Sequence, residues 1–221
     1  HLSELLFAPT KITKSNLQCE KVHGKIFVTG NTVIDAINIY SKISRKKSKL
    51  SITSSDFILF TLHRSENVDN KKILSSIIKG VINSNENIIF PIHPRTKKRL
   101  HEFGLYNKLF QNKNIKILDS VGYFEILELM KNCIFIVTDS GGIQEEATSP
   151  VIRKKVLVVR KTTDRPEAVE SKMAEIVGLD EKNISNSIKK TMKSPKLQSK
   201  KTPYGKGDAS EKILKILQNN F

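Results

Sequence analysis

The sequence predicts an α/β protein built on a parallel sheet flanked by helices, and three observations carry that expectation. Short apolar runs alternate with segments of helical spacing, most regularly from residue 56 onward. Those runs are near-continuous, as strands covered on both faces require. Four polar, chemically dense loops, 63–66, 93–95, 139–142 and 162–166, fall where such a sheet presents its ligands, beyond the strands' carboxyl ends.

Taken in order, residues 2–8 read as a strand opening at Leu2 and ended by Pro9. Thr10 reads as the cap of a helix over 11–21. A strand over 25–29, the turn Gly30-Asn31 and a helix over 32–40 follow. Residues 41–55 are polar and basic and read as a helix end and loop. Strands are then expected at 56–62, 87–92, 115–118, 133–138 and 156–159, with a brief one at 176–177. Helices are expected at 71–84, 96–103, 123–132, 182–192 and 210–217, with further helices starting at Ile143 and Arg165.

Composition narrows the function classes. Of 221 residues, 38% are hydrophobic and 27% charged, which fits a soluble globular chain with one large domain or one domain with extensions. No apolar run approaches the ~20 residues that cross a bilayer, and no signal peptide is visible, so no membrane association is expected. The chain begins with His1, which reads as a fragment or a trimmed chain. Cys19 and Cys133 lie far apart without a CxxC, so neither a disulfide framework nor a metal site is expected. Cys133 reads as a small buried residue, and a reduced, cytoplasmic location is the default. The formal charge of +16 is scattered and lacks aromatic interleaving. It reads as a solvated lysine surface, with no nucleic-acid partner expected.

The densest chemistry lies in Thr138-Asp139-Ser140-Gly141-Gly142-Ile143-Gln144-Glu145-Glu146. Ser140 offers a hydroxyl, and Gly141 and Gly142 let backbone approach a ligand closely. The helix that follows favours an anion such as a diphosphate. Glu146 can accept two hydrogen bonds from vicinal hydroxyls, as a ribose presents. Alone, Ser-Gly-Gly would read as a capped turn; the full run at the sheet edge favours a ligand site. In Thr162-Thr163-Asp164-Arg165-Pro166-Glu167, Arg165 can clamp a phosphate, or the run is a capped helix with a surface ion pair. His63 and Arg64 follow one strand, and His93 and Arg95 the next, adding positive potential to the same edge. A loop histidine or a rigid proline turn is the plainer reading of each. No P-loop, GxGxxG, HExxH or GxSxG occurs, and no cofactor is expected.

Together these runs resemble the non-hydrolysing UDP-N-acetylglucosamine 2-epimerases. The match includes Phe7-Ala8-Pro9-Thr10, Gly30-Asn31-Thr32-Val33-Ile34-Asp35, Thr61 to Asn67, Thr138 to Ala147, Thr162 to Ala168 and Pro203-Tyr204-Gly205. The resemblance implies the second half of a glycosyltransferase-B-like fold made of two Rossmann-like halves. Residues 1–23 would be the end of the first half with its linker helix, 24–202 the UDP-binding domain, and 203–221 the helix that crosses back. The family interconverts UDP-GlcNAc and UDP-ManNAc by removing the C2 proton, eliminating UDP and re-adding it. By resemblance Ser140, Gly141 and Gly142 meet the diphosphate, Glu146 the ribose, and His63 and Arg165 the phosphate region. His63 is also the one candidate catalytic group in this chain. Arg64 and His93 match positions of a regulatory UDP-sugar site. The proton-transfer carboxylates belong mainly to the first half, so this chain alone is expected to be inactive, with the N-terminal domain and a second copy as partners. Three departures stand out: Ile126 replaces an aromatic expected against uracil, the 148–155 loop is longer and more basic, and Thr61-Leu62-His63-Arg64-Ser65-Glu66 departs from the Gly-His-Arg-Arg-Glu form. A stand-alone nucleotide-sugar-binding module and a UDP-dependent glycosyltransferase are the alternatives. Leu2, Leu5, Leu6, Phe7 and the apolar face of 210–217 are expected to be exposed and to drive self-association.

Overall fold

The computed structural model describes residues 3–52, 54–195, 197, 199 and 201–220, and Leu2 lies outside them. Strand β1 (Leu5–Ala8) is ended by Pro9, and the Thr10 hydroxyl caps helix α1 (Lys11–Cys19) by accepting the Thr13 N–H at 3.1 Å. Strand β2 (Lys25–Val28) pairs parallel with β1, from Leu5 opposite Lys25 to Ala8 opposite Val28. Asn31 caps helix α2 (Thr32–Tyr40), its Oδ1 accepting the Val33 N–H at 3.0 Å. The basic stretch expected as loop holds a further turn, α3 (Ser44–Lys47). It forms because Ser44 is wholly buried and donates to the Glu128 carboxylate, a tertiary contact that local propensity does not reveal.

The remaining strands make one parallel sheet: β3 (Ile58–Thr61), β4 (Ile88–Pro91), β5 (Ile115–Leu118), β6 (Ile136–Thr138), β7 (Val156–Val158) and β8 (Ala174–Ile176), in the order β5-β4-β3-β6-β7-β8. The connections carry α4 (Ser65–Val68), α5 (Lys71–Ser84), α6 (Pro94–Glu102), α7 (Tyr106–Phe110), α8 (Tyr123–Asn132), α9 (Gly141–Glu146), α10 (Pro166–Glu170) and α11 (Glu181–Lys193). Helix α12 (Ala209–Gln218) follows. Helices α4 and α7 were not expected, being too short to show a period.

Each face of the sheet has its own core. Phe60, Phe90, Leu74 and Ile184 lie in one cluster, and Leu59, Leu127, Ile136 and Val158 in the other. Successive β3 residues Ile58, Leu59 and Phe60 are all 0% exposed, which is why the run carries no alternation. Helices α5 and α11 pack closely where Gly80 sits: a Cβ there would fall 2.9 Å from the Ile184 Cβ.

The chain crosses between its two parts at 29–31, which leads from the two-stranded to the six-stranded sheet, and at 204–208, which leads into α12 and, beyond it, to the Asn220 that Lys25 of β2 bonds. At the first, the Asn31 N–H donates to the Tyr204 carbonyl at 2.8 Å. At the second, both Asp35 oxygens cap α12, accepting the N–H groups of Ala209 at 3.2 Å and Ser210 at 2.8 Å. Gly207 lies at φ 94°, and a Cβ there would fall 1.9 Å from Asn38 Nδ2. The Gly-Asn-Thr-Val-Ile-Asp and Pro-Tyr-Gly runs thus meet one another. Leu5, Leu6 and Phe7 are half-buried rather than exposed, since β2 covers one side and the Phe7 and Phe27 rings lie 6.3 Å apart. On α12 only Leu214, at 55%, stands open among the apolar residues. Cys133 is buried, and burial pushes its thiol up to about 12; Cys19 is exposed. Among the described residues no helix is long and apolar enough to cross a membrane.

Candidate functional site

The strand order reverses at β3, which has β4 on one side and β6 on the other. Such a switch opens a crevice at the carboxyl ends of the two strands that diverge. The Thr61 and Thr138 hydroxyls close the ends of β3 and β6 with a 2.6 Å hydrogen bond. Immediately beyond them the chain places His63 and Arg64 on one side and Asp139 and Ser140 on the other.

Asp139 is 0% exposed and organises the crevice floor. Its carboxylate accepts the backbone N–H of His63 at 3.1 Å, that of Arg64 at 2.8 Å and the Asn67 amide at 3.2 Å. It also lies 3.2 Å from His63 Nδ1. A buried carboxylate so supplied with donors holds the 63–67 loop in place and orients the His63 ring, leaving no face for a ligand. Ser140 caps α9, its Oγ accepting the Ile143 N–H at 3.4 Å. Gly141 is buried beneath two guanidinium groups: a Cβ there would lie 3.3 Å from Arg64 Nη2 and 3.8 Å from Arg165 Cζ. Gly142 is exposed. The structure therefore brings Arg64, Ser140, Gly141 and Arg165 to one point.

The guanidinium groups are held by carboxylates. Arg165 pairs with Glu145 and donates through Nη1 to the Asp164 carbonyl at 2.9 Å. Arg64 Nη2 lies 3.4 Å from Asp164, whose carboxyl also pairs with Arg160 at 2.9 Å. The hydrogen bond from Arg160, then the nearby charges of Arg64 and Arg165, hold the Asp164 carboxyl below its ordinary value. The Thr163 hydroxyl donates to the Gln144 side chain at 2.6 Å, tying this loop to α9.

Two consecutive glutamates have different surroundings. Glu145 is buried; that burial raises its carboxyl against the opposing pull of Arg165, and Asn31 Nδ2 donates to its second oxygen at 3.1 Å. Glu146 is pushed up to about 7, first by burial and then by the adjacent Glu145 charge. Tyr123 is close enough to feel it, its phenol raised to about 12 by burial and then by Glu146.

His93 caps α6, its Nδ1 accepting the Arg95 N–H at 3.2 Å, and its ring centroid lies 5.8 Å from that of His63. His63, His93, Leu62, Ile92, Ile126 and Ile143 line part of a cavity of about 160 Å³. Arg95 does not join this edge as expected: Asp69 draws it away, pairing with Arg95 and with Arg99 at 2.8 Å. The arrangement offers cationic and backbone donors to an anion. Among the described residues no group of three His, Cys, Asp or Glu side chains is placed to hold a metal.

Asp139, Glu145 and Glu167 shape the site without having been singled out. A carboxylate following a strand end in a polar turn signals a cap or clamp, and that signal was present for Asp139. Nothing in the sequence separates Glu145 from Glu146.

Residues 1–218 match the family model for UDP-N-acetylglucosamine 2-epimerase. The chain belongs to that family. It is 43% identical to the UDP-N-acetylglucosamine 2-epimerase of Methanocaldococcus jannaschii over 98% of its own length and 61% of the relative's. It is 37% identical to the Campylobacter jejuni UDP-N-acetylglucosamine 2-epimerase, again covering 98% and 61%. The crystal structure of the Methanocaldococcus jannaschii UDP-GlcNAc 2-epimerase with UDP-GlcNAc and UDP superposes with a TM-score of 0.88 at 42% identity, covering 99% of this chain and 62% of that one. The Neisseria meningitidis UDP-GlcNAc 2-epimerase bound to UDP-GlcNAc gives 0.84 at 32% identity, with 99% and 62% covered. The chain thus spans about three-fifths of the epimerases it matches, and its parallel sheet is the expected portion of their glycosyltransferase-B-like fold.

Proposed function

We propose that this chain is the UDP-binding part of a UDP-N-acetylglucosamine 2-epimerase, working with an N-terminal domain that completes the crevice. The observation that carries this reading is the convergence of Arg64 and Arg165 over Gly141, next to the capping Ser140 and at the start of the helix that carries Glu146. A nucleoside diphosphate has the matching chemistry: two charged phosphates for guanidinium groups and glycine N–H donors, and vicinal hydroxyls for a carboxylate. Ser140, Gly141 and Gly142 then meet the diphosphate, Arg165 and His63 the phosphate oxygens, and Glu146 the ribose. Arg64 and His93 serve a second, regulatory UDP-sugar.

In the full enzyme the C2 proton of UDP-GlcNAc is removed and the C1–O bond to UDP breaks; UDP then re-adds at C1 of the glycal while a proton adds to the opposite face of C2, inverting it. This half holds the departing UDP, and His63 can hand a proton to a phosphate oxygen. The acid–base carboxylates are supplied by the N-terminal domain, so this chain binds without turning over. We place the domain boundaries at 1–23, 24–202 and 203–221, and β2 pairs with β1 across the first of them. A homodimer in the cytoplasm completes the reading.

Calorimetric titration with UDP and UDP-GlcNAc tests the proposal. The chain is expected to bind both, and Glu146→Ala to weaken binding about tenfold or more, the worth of hydrogen bonds to a charged group. Absence of binding by the parent chain would overturn the reading.

A further inference from the structure

Two carboxylates beside the crevice are bonded to groups distant in the chain. Glu145 uses one oxygen for Arg165 and the other for Asn31 Nδ2, at 3.1 Å. Glu167 accepts the Thr10 hydroxyl on one oxygen and the Tyr204 phenol on the other, at 3.0 Å. Asn31 closes the circuit by donating its backbone N–H to the Tyr204 carbonyl at 2.8 Å. A continuous ring of contacts therefore runs Arg165, Glu145, Asn31, Tyr204, Glu167 and back to Arg165 through Pro166. Pro166 stands in the first turn of α10, where its fixed φ leaves little slack between Arg165 and Glu167.

Both chain crossings lie on this ring. Asn31 belongs to the first, Tyr204 to the second, and Thr10 hangs from the end of β1. We propose that Glu145 and Glu167 are positioning residues that tie Arg165 to both crossings, so that an anion held at Arg165 and the setting of the two-stranded sheet share one coupling free energy. This rests on the reading of Arg165 as a phosphate-binding group. An anion bound beside Gly141 competes with Glu145 for the guanidinium already standing there. Glu145 either follows, shifting Asn31, or loses Arg165, its one cationic partner among the described residues, while buried, which is costly. The second carboxylate transmits the same shift through α10 to Tyr204 and Thr10. By reciprocity, whatever fixes the crossings tightens anion binding by the same factor.

Amide hydrogen exchange with and without UDP reads the coupling directly. The reporters are the N–H groups of Asn31, bonded to Tyr204, and Thr29, bonded to Ala8 at 3.0 Å. In the parent chain UDP is expected to slow their exchange about 5- to 150-fold, the usual span of such couplings. Glu167→Gln and Tyr204→Phe are expected to bind UDP yet lose most of that slowing. A purely structural role predicts instead faster exchange by an equal factor with and without UDP, and that result would overturn the proposal. So would unchanged slowing in both variants. Should Glu167→Gln not fold, Tyr204→Phe, which deletes one hydroxyl, decides alone. Parent chain that binds UDP with unaltered exchange at both amides overturns the coupling and leaves the UDP site standing. Parent chain that binds neither UDP nor inorganic pyrophosphate overturns both.

Discussion

The six-stranded sheet and the two-stranded sheet are made of similar apolar strands but hold together differently. In β3 every residue is buried, and helices cover both faces. In β1 three of four residues are half-buried, and β2 has no buried residue at all. Two parallel strands do not make an independently stable sheet. The smaller unit is held instead by polar ties: Glu167 to Thr10, Asp35 to α12, and Lys25 to Asn220 at 3.2 Å. One region owes its order to its own core, and the other borrows order from the groups that bind it to the first.

The sharpest break of that contrast is a pair of truncations. Phe60→Ala is expected to cost about 3–5 kcal/mol in urea unfolding, and Phe7→Ala only about 1 kcal/mol, because one ring is fully enclosed and the other is not. Equal losses would show that the small sheet has a core of its own.

A second test sits at the crevice. Well below pH 4.5, Glu146 is protonated in both folded and unfolded chains. As pH rises, the unfolded chain releases a proton that the fold keeps until about 7, so the carboxyl's stabilising contribution fades across that interval. Relative to the parent, Glu146→Gln is expected to gain about 1–3 kcal/mol between pH 4 and pH 8. A stability difference flat with pH would show that Glu146 is not held in a low-dielectric setting.

The smallest expected effect belongs to Asp35→Ala. Removing this cap is worth about 1 kcal/mol and should fray α12. Faster amide exchange at Ala209 and Ser210, with the six-stranded sheet's amides unchanged, is the expected pattern; acceleration throughout would mean that the two units unfold as one.

The same contrast explains what could be read from the sequence. Strands covered on both faces announce themselves as unbroken apolar runs, so every strand of the main sheet was legible, with ends displaced by up to three residues, as at β6. The run around Ser140 was legible because glycines, a hydroxyl and carboxylates at a strand end have few structural uses together. Turns of four or five residues, such as α3, are set by single tertiary contacts like that of Ser44 with Glu128 and leave no periodic trace. Nor could the sequence divide labour between Glu145 and Glu146. Adjacent helical residues point about 100° apart, and only the fold reveals that Asn31 and Arg165 wait on one side. Arg95 looked like part of the crevice because it follows His93, yet Asp69 competes for it successfully.

The strand order has a further consequence for synthesis. β3 takes β4 on one side soon after it is made, but its other neighbour arrives late: Thr61 bonds to Thr138, 77 residues downstream. At about 5–20 residues per second of translation, the bare edge of a strand destined for full burial waits roughly 4–15 s on the ribosome. During that interval the nascent chain offers an unpaired hydrophobic edge, making this stretch a natural place for a chaperone to act.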